Sequence, residues 1–198
     1  IRPPQKCVSE MTDYADLDRR FYRAPDEKHP EESAQTSYLL ASLALDKSLG
    51  WSELQQCRLV VILGEPGSGK STELRIQADR LCTQSKRAFF VRLDRLVEES
   101  WDSVIDERGH ESLQAWKRGD DNAWFFFDSV DESKLRKPDD FLTALERIAA
   151  ALSARALRRA RLVFSSRISE WRPVTDLAAL RRHFPAPPRP GKTTGSDK

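Results

Sequence analysis

A glycine-rich stretch near residue 64 has the residue types and the spacing needed to hold phosphate groups. It fits the pattern G-x-x-x-x-G-K-[ST] and comprises Gly64, Glu65, Pro66, Gly67, Ser68, Gly69, Lys70, Ser71 and Thr72. Gly67 and Gly69 can adopt a positive φ angle, so backbone N–H groups approach phosphate oxygens without an intervening Cβ. In such a loop Lys70 contacts the β- and γ-phosphates and the Ser71 hydroxyl binds Mg²⁺. We therefore predict a site for a nucleoside triphosphate and magnesium.

The segments on either side of this loop come in the order that a phosphate-binding loop requires. An uninterrupted apolar run at residues 59–63 precedes the loop, as expected for a strand that is buried on both faces. Residues 71–82 follow it with apolar side chains at helical spacing. The N-terminus of that helix adds oriented N–H donors and a partial positive charge. This order of elements separates the motif from a chance glycine-rich loop.

A group of acidic residues follows a later apolar run. Asp128 comes directly after residues 124–127, so we expect it at the end of a strand, where it holds the Mg²⁺ shell through water and completes the site that Ser71 begins. Asp131 and Glu132 come just beyond, and one of them could act as a general base for an attacking water. Asp131 is the favoured candidate. The alternative is that all three are ordinary loop carboxylates.

The sequence predicts two more strands, the second at residues 88–93 and the fourth at residues 162–166, and Arg167 ends the fourth. If that strand lies beside the one ending at Asp128, Arg167 faces the γ-phosphate and stabilises its charge. A structural salt bridge with a nearby acid is the alternative interpretation.

Strands and helices alternate along the chain, which predicts an α/β fold. We expect the three-layer sandwich of a P-loop NTPase, with a parallel sheet and its ligand at the carboxyl ends of the strands. Residues 1–50 are expected to form a partly helical extension, closed by a helix that ends at Gly50. Residues 51–184 are expected to form the P-loop core, in which 96–116 are irregular with one or two short helices. Residues 185–198 are rich in Pro, Gly, Ser and Thr, which predicts a disordered tail.

Composition argues against several classes of partner. The chain has 198 residues, and its net charge of +2 is too small to indicate a nucleic-acid or membrane surface. Arginines at 155, 158, 159 and 161 could contact nucleic acid, although a solvated helix end is the favoured interpretation. We find neither a signal-peptide core nor an apolar stretch of membrane-spanning length. The three scattered cysteines indicate free thiols in a reducing compartment, so we expect a cytoplasmic protein.

Three motifs together resemble the NACHT-type members of the STAND class of P-loop NTPases. The motifs are residues 64–72, 125–132 and 163–167. In that family a small residue and then an acidic pair follow the Mg²⁺ acid, a pattern matched here by Ser129, Asp131 and Glu132. The sensor strand of the family commonly ends in a Ser/Thr-Arg pair, which is matched by Ser166 and Arg167.

The resemblance covers roughly residues 51–172 and implies an ATP-driven molecular switch. In such a switch ADP holds a closed monomer, and exchange for ATP permits homo-oligomerisation and signalling; bacterial members often serve in defence against phage. ATP and Mg²⁺ are the implied cofactors, and hydrolysis is slow. The helical, winged-helix and repeat regions of the family are not evident here, nor is a fifth core strand after Arg172. We therefore expect a fragment, a truncated relative or an incomplete core, with trigger and effector unidentified.

Other functions fit part of the sequence. A motor ATPase of the AAA+ kind usually has its catalytic Glu directly after the Mg²⁺ acid, whereas here Ser129 intervenes. A P-loop kinase requires an arginine-bearing lid and an acceptor pocket, and neither is evident. A non-hydrolysing interaction module would use the nucleotide only to fold. ATP is preferred over GTP because no [NT]-K-x-D motif follows Asp128.

Overall fold

The computed structural model describes residues 19–23, 48–105, 107–130 and 139–186. Most of the predicted extension and nearly all of the predicted tail lie outside these ranges. The two candidate general bases, Asp131 and Glu132, also lie outside the described residues.

Four parallel strands form the centre of the fold. They are β1 (Leu59–Gly64), β2 (Arg87–Arg92), β3 (Ala123–Asp128) and β4 (Ala160–Arg167), and their order in the sheet is β1-β4-β3-β2. Phe164 of β4 pairs with Val61 of β1 on one side and with Phe127 of β3 on the other. Hence β4 lies between the strand that precedes the glycine-rich loop and the strand that ends at Asp128.

Helices supply the crossovers that consecutive parallel strands require. In chain order they are α1 (Trp51–Leu54), α2 (Lys70–Thr83), α3 (Leu93–Glu98), α4 (Trp101–Val104), α5 (Glu107–Arg118), α6 (Asp140–Ala151), α7 (Ala154–Arg159) and α8 (Pro173–His183). Within the described ranges, none of these helices has the length and apolar character that crossing a bilayer demands. The predicted α/β class with a parallel sheet is confirmed.

The sheet is covered on both faces, as the aromatic run of β3 predicts. Phe125 and Phe127 belong to a large core cluster, whereas Phe126 belongs to a smaller cluster with Leu74 and Leu81 of α2. Successive side chains of a strand point to opposite faces, so the two clusters lie on opposite sides of the sheet. All three phenylalanines are fully buried, and each contributes about 1.5–3 kcal/mol relative to an exposed side chain. The expected three-layer arrangement follows from this burial.

Gly50 begins a helix, and most of the helix that the sequence predicted to end at this glycine, at residues 37–49, lies outside the described residues. Gly50 is the N-cap of α1, with an extended φ of −94°, and its N–H donates to Oε2 of Glu53 at 2.9 Å. The preceding Leu49 pairs with Phe21 in an antiparallel bridge. A glutamate three residues after an N-cap is part of a capping box, and this local signal favours the start of a helix at Gly50.

The segment between β2 and β3 is more regular than predicted. It forms α3, α4 and α5, and the last of these buries Leu113 and Trp116 while Arg118 remains exposed. Arg147 of α6 donates to the carbonyl oxygens of Leu96 and Glu99, at 2.8 and 2.7 Å, and so satisfies the C-terminal end of α3. That partner lies about fifty residues away in sequence, so a local pattern could not indicate it.

Three of the four clustered arginines make contacts within the fold. Arg155 pairs with Asp120 at 2.6 Å, and Arg159 donates to the carbonyl oxygen of Asp121 at 2.8 Å. Arg161 donates to the carbonyl oxygen of Gln56 at 2.5 Å. These contacts join α7 and β4 to neighbouring loops, while Arg155 and Arg158 remain exposed, as expected for a solvated helix end.

Candidate functional site

The glycine-rich loop turns tightly between β1 and α2. Gly67 and Gly69 have φ angles of 72° and 79°, a region that residues with a Cβ rarely adopt. Gly64 leaves little room for a side chain, because a Cβ at this position would lie 3.2 Å from Oγ of Ser68. The N–H of Ser68 donates to the carbonyl oxygen of Glu65 at 3.2 Å, which closes the turn. The loop therefore has the backbone conformation of a cradle for an anion.

Lys70 is the first residue of α2 and lies over this loop. Its Nζ donates to the carbonyl oxygens of Gly64 and Glu65, both at 2.9 Å, and lies 3.4 Å from Oγ of Ser68. The ammonium group of Lys70 therefore lies at the loop, and its backbone stands at the positive end of the α2 dipole. Both favour an anion at this position.

Asp128 is held in a buried hydrogen-bond network at the end of β3. Oγ of Ser165 donates to Oδ1 of Asp128 at 2.6 Å and accepts from the N–H of Ser129 at 3.1 Å. Asp128 is 4% exposed and Ser165 is 1% exposed. Ser129 has a φ of 66°, which is unusual for a residue with a side chain. The carboxylate consequently has a fixed orientation.

One cavity brings the two predicted metal ligands together. Its volume is about 370 Å³, and it is lined by Ser71, Thr72, Arg75, Phe90, Arg92, Asp128 and Ser129. A hydroxyl group and a carboxylate beside a glycine-rich loop are oxygen ligands of the kind that suits Mg²⁺. The residues present therefore fit a magnesium–nucleotide complex.

Two arginines add positive charge to the same cavity. The guanidinium of Arg75 stacks on the ring of Phe90, 4.8 Å from its centroid. Arg92 makes a bidentate pair with Asp94, at 3.0 and 2.6 Å. An adjoining cavity of about 310 Å³ shares Arg75, Phe90 and Arg92 and also includes Asp79. Burial raises the pKa of Asp79, and the Arg75 charge opposes this shift.

Arg167 lies at the end of β4, in register with Gly64 of β1. The arrangement on which its predicted role depends is present, because β4 is paired with β3. The half-buried Arg167 therefore lies next to the first residue of the glycine-rich loop. Of the other candidate catalytic residues, Asp131 and Glu132 belong to the undescribed segment after β3.

Sequence reasoning missed a buried carboxylate on the first turn of α2. Glu73 is 4% exposed; it accepts hydrogen bonds from Nε1 of Trp51 at 2.7 Å and from Nε2 of Gln77 at 3.0 Å. Nε of Arg19 lies 3.2 Å from Oε2 of Glu73 without the alignment of a hydrogen bond. The other end of the Arg19 guanidinium lies beside Gly69, where Nη2 would be 2.9 Å from a Cβ. Arg19, which belongs to the N-terminal segment, therefore lies against the glycine-rich loop.

The positive φ of Gly67 gives a testable prediction. A Cβ at Gly67 would meet no atom within 4 Å, so Gly67→Ala tests backbone strain without a clash. We expect the free energy of unfolding in urea to fall by about 1–2 kcal/mol. Gly119→Ala is the matched control, since its Cβ would make ordinary contacts of 3.7 Å at a position without positive φ. Equal losses in the two variants would contradict the strain argument.

Comparison with solved structures finds distant matches. AMPPCP-bound DnaA from Aquifex aeolicus is 16% identical, with a TM-score of 0.42 over 76% of this chain and 44% of that protein. A structure of a DNA replication initiation factor is also 16% identical, with a TM-score of 0.42 over 76% of this chain and 43% of its own. The chain thus spans less than half the length of either protein. No protein-family model and no curated protein matches the sequence.

Proposed function

We propose that the chain is an ATP-binding, slowly hydrolysing P-loop NTPase that acts as a nucleotide-dependent switch. The observation that carries this proposal is the shared cavity of Ser71 and Asp128, beside a loop whose lysine and helix dipole favour an anion. A chance glycine-rich loop would have no reason to face a buried carboxylate from another strand.

In this proposal each group of residues has one task. The backbone N–H groups of residues 64–72 and the ammonium of Lys70 bind the phosphates, and Ser71 and Asp128 hold Mg²⁺. When bound, Mg²⁺ would neutralise phosphate charge. Asp131 accepts a proton from the attacking water, with Glu132 as the alternative base. Arg167 stabilises charge on the γ-phosphate.

A more specific form of this proposal is that the chain is a NACHT-type STAND switch. Its ATP state would form a homo-oligomer, with a role in signalling or in defence against phage. Support for it comes from the three sequence motifs and from the position of β4. Because β4 lies between β1 and β3, the Ser166-Arg167 pair ends beside both the loop and the Mg²⁺ acid. That neighbourhood is what a residue reporting the γ-phosphate requires.

Equilibrium binding combined with a turnover assay tests the proposed function. We expect Mg²⁺-dependent binding of ATP in preference to GTP, followed by slow phosphate release. Asp131→Ala should abolish phosphate release and leave ATP affinity within about threefold of wild type, since a general base contributes about 10²–10⁴-fold to rate. Glu132→Ala is the matched variant, and a larger loss there would exchange the roles of the two acids.

Each contrary result would indicate another function. Binding without turnover in wild type would favour a passive nucleotide-binding module. Phosphate transfer to an added acceptor would favour a kinase. Absence of Mg²⁺-dependent binding of any nucleoside triphosphate would refute the proposal.

A further inference from the structure

The Ser165 hydroxyl makes two hydrogen bonds in a site that is almost closed to solvent. It donates to Oδ1 of Asp128 at 2.6 Å and accepts from the N–H of Ser129 at 3.1 Å. The first distance is at the short end of the range for hydrogen bonds between two oxygens. Ser165, Asp128 and Ser129 are 1%, 4% and 9% exposed, so water has little access to replace either bond.

The strand register explains why this serine reaches both groups. Phe127 of β3 pairs with Phe164 of β4, which places Ser165 opposite Asp128 on the neighbouring strand. The next residue, Ser129, has a φ of 66°, a conformation that costs about 1–3 kcal/mol for a residue with a side chain. The bond from its N–H to Ser165 offsets part of that cost. It also fixes the direction in which the backbone leaves β3.

We propose that Ser165 is a positioning residue for the metal site of this NTPase, an inference that rests on the function proposed above. The hydroxyl of Ser165 donates its hydrogen bond to Oδ1 of Asp128. This leaves Oδ2 for a cation in the cavity that Asp128 and Ser71 line. A carboxylate held in this way loses less rotational freedom when it binds the cation. Residues outside the first coordination sphere of a metal commonly contribute 10–100-fold to its affinity in this way.

Metal affinity distinguishes positioning from simple stabilisation of the fold. Mn²⁺ can replace Mg²⁺ as the probe, and its binding to the full chain with the non-hydrolysable analogue AMPPCP is measured by electron paramagnetic resonance. We expect Ser165→Ala to weaken Mn²⁺ binding at least about tenfold. Affinity for the analogue without metal should stay within about twofold, because the two hydrogen bonds of the Ser165 hydroxyl go to Asp128 and Ser129 and not to residues 64–72. Ser165→Thr keeps the hydroxyl and should restore Mn²⁺ affinity.

Two more variants keep the test decisive. Ser129→Gly removes the backbone strain and retains the N–H, so it is the reference with which the double variant is compared. The double variant with Ser165→Ala should still show the weakened Mn²⁺ binding, and its stability should exceed that of Ser165→Ala alone. If Ser165→Ala cannot be folded, Ser165→Cys supplies a near-isosteric weak donor, and the same loss is expected.

The outcomes separate this inference from the proposed function. Unchanged Mn²⁺ affinity in Ser165→Ala, with or without lower stability, would overturn the positioning role and leave the NTPase proposal intact. Full recovery of Mn²⁺ affinity in the double variant would also overturn it, because the effect would then pass through Ser129 strain alone. Wild type that binds neither Mn²⁺ nor AMPPCP would refute the proposed function itself.

Discussion

Replacing Lys70 by alanine is expected to lower the affinity for ATP at least about 100-fold. The variant removes the charge that the proposed site presents to the phosphates, and each charge-assisted hydrogen bond is worth about 1.5–3 kcal/mol. It also removes the ammonium that bridges the carbonyl oxygens of Gly64 and Glu65, both at 2.9 Å. Isothermal titration calorimetry of ATP with Mg²⁺ measures the change directly.

A matched lysine controls for the loss of charge. Lys86 is exposed, and its ammonium lies 5.5 Å from the centroid of the Trp124 ring. Lys86→Ala should therefore bind ATP as wild type does. Lys70→Met, which keeps an unbranched apolar chain, should lose affinity like Lys70→Ala. ATP affinity within threefold of wild type in both Lys70 variants would contradict a phosphate role for this residue.

The fold and the glycine-rich loop were predictable because their signals are local. The apolar runs at residues 59–63 and 124–127 define strands, and such runs need no knowledge of distant partners. The second of these strands, β3, is almost fully buried, whereas β1, at the edge of the sheet, is mostly half-buried. The positive φ of Gly67 and Gly69 follows from the motif and the absence of a side chain. Asp128 at the end of β3 follows from the run that precedes it.

The interactions that orient the site were not predictable, because their partners are far apart in the sequence. Ser165 meets Asp128 across 37 residues, and Trp51 meets Glu73 across 22 residues. In sequence, Ser165 is a small polar residue in an apolar strand and Glu73 a polar position on a helix. Only the pairing of β3 with β4 reveals the first contact. Only the packing of the segment before β1 on α2 reveals the second.

Local rules also compete where the structure has more helix than the sequence predicted. Glycine occurs both at the ends and at the starts of helices. At Gly50 the side chain of Glu53 favours a start, because it accepts a hydrogen bond from the N–H of Gly50. Between β2 and β3, most residues of α5 are polar. The helical spacing of its buried residues is therefore hard to recognise in the sequence. Leu113 and Trp116 are three positions apart and both buried, which is the helical signal in that segment.

Replacing Asp128 by asparagine is expected to separate nucleotide binding from turnover. Asparagine keeps the size of the side chain, and its amide oxygen can still accept from Ser165, but it lacks the negative charge and presents N–H donors instead. The free energy with which a cation binds in the cavity lined by Ser71 and residue 128 would become less favourable by several kcal/mol. Phosphate release should therefore fall at least about 100-fold. ATP binding without Mg²⁺ should stay within about threefold of wild type.

The matched control for this variant is Asp121→Asn, which makes the same chemical change at an exposed position. The contacts of Asp121 with Trp116 and Arg159 use its backbone oxygen, so the side chain can change without loss of either. Its phosphate release should equal that of wild type. If Asp128→Asn kept wild-type turnover at limiting Mg²⁺, Asp128 would not be the metal ligand. Asp128 is the one carboxylate among the described residues that line this cavity with Ser71. Without it, the proposed magnesium site would have no charged ligand among those residues.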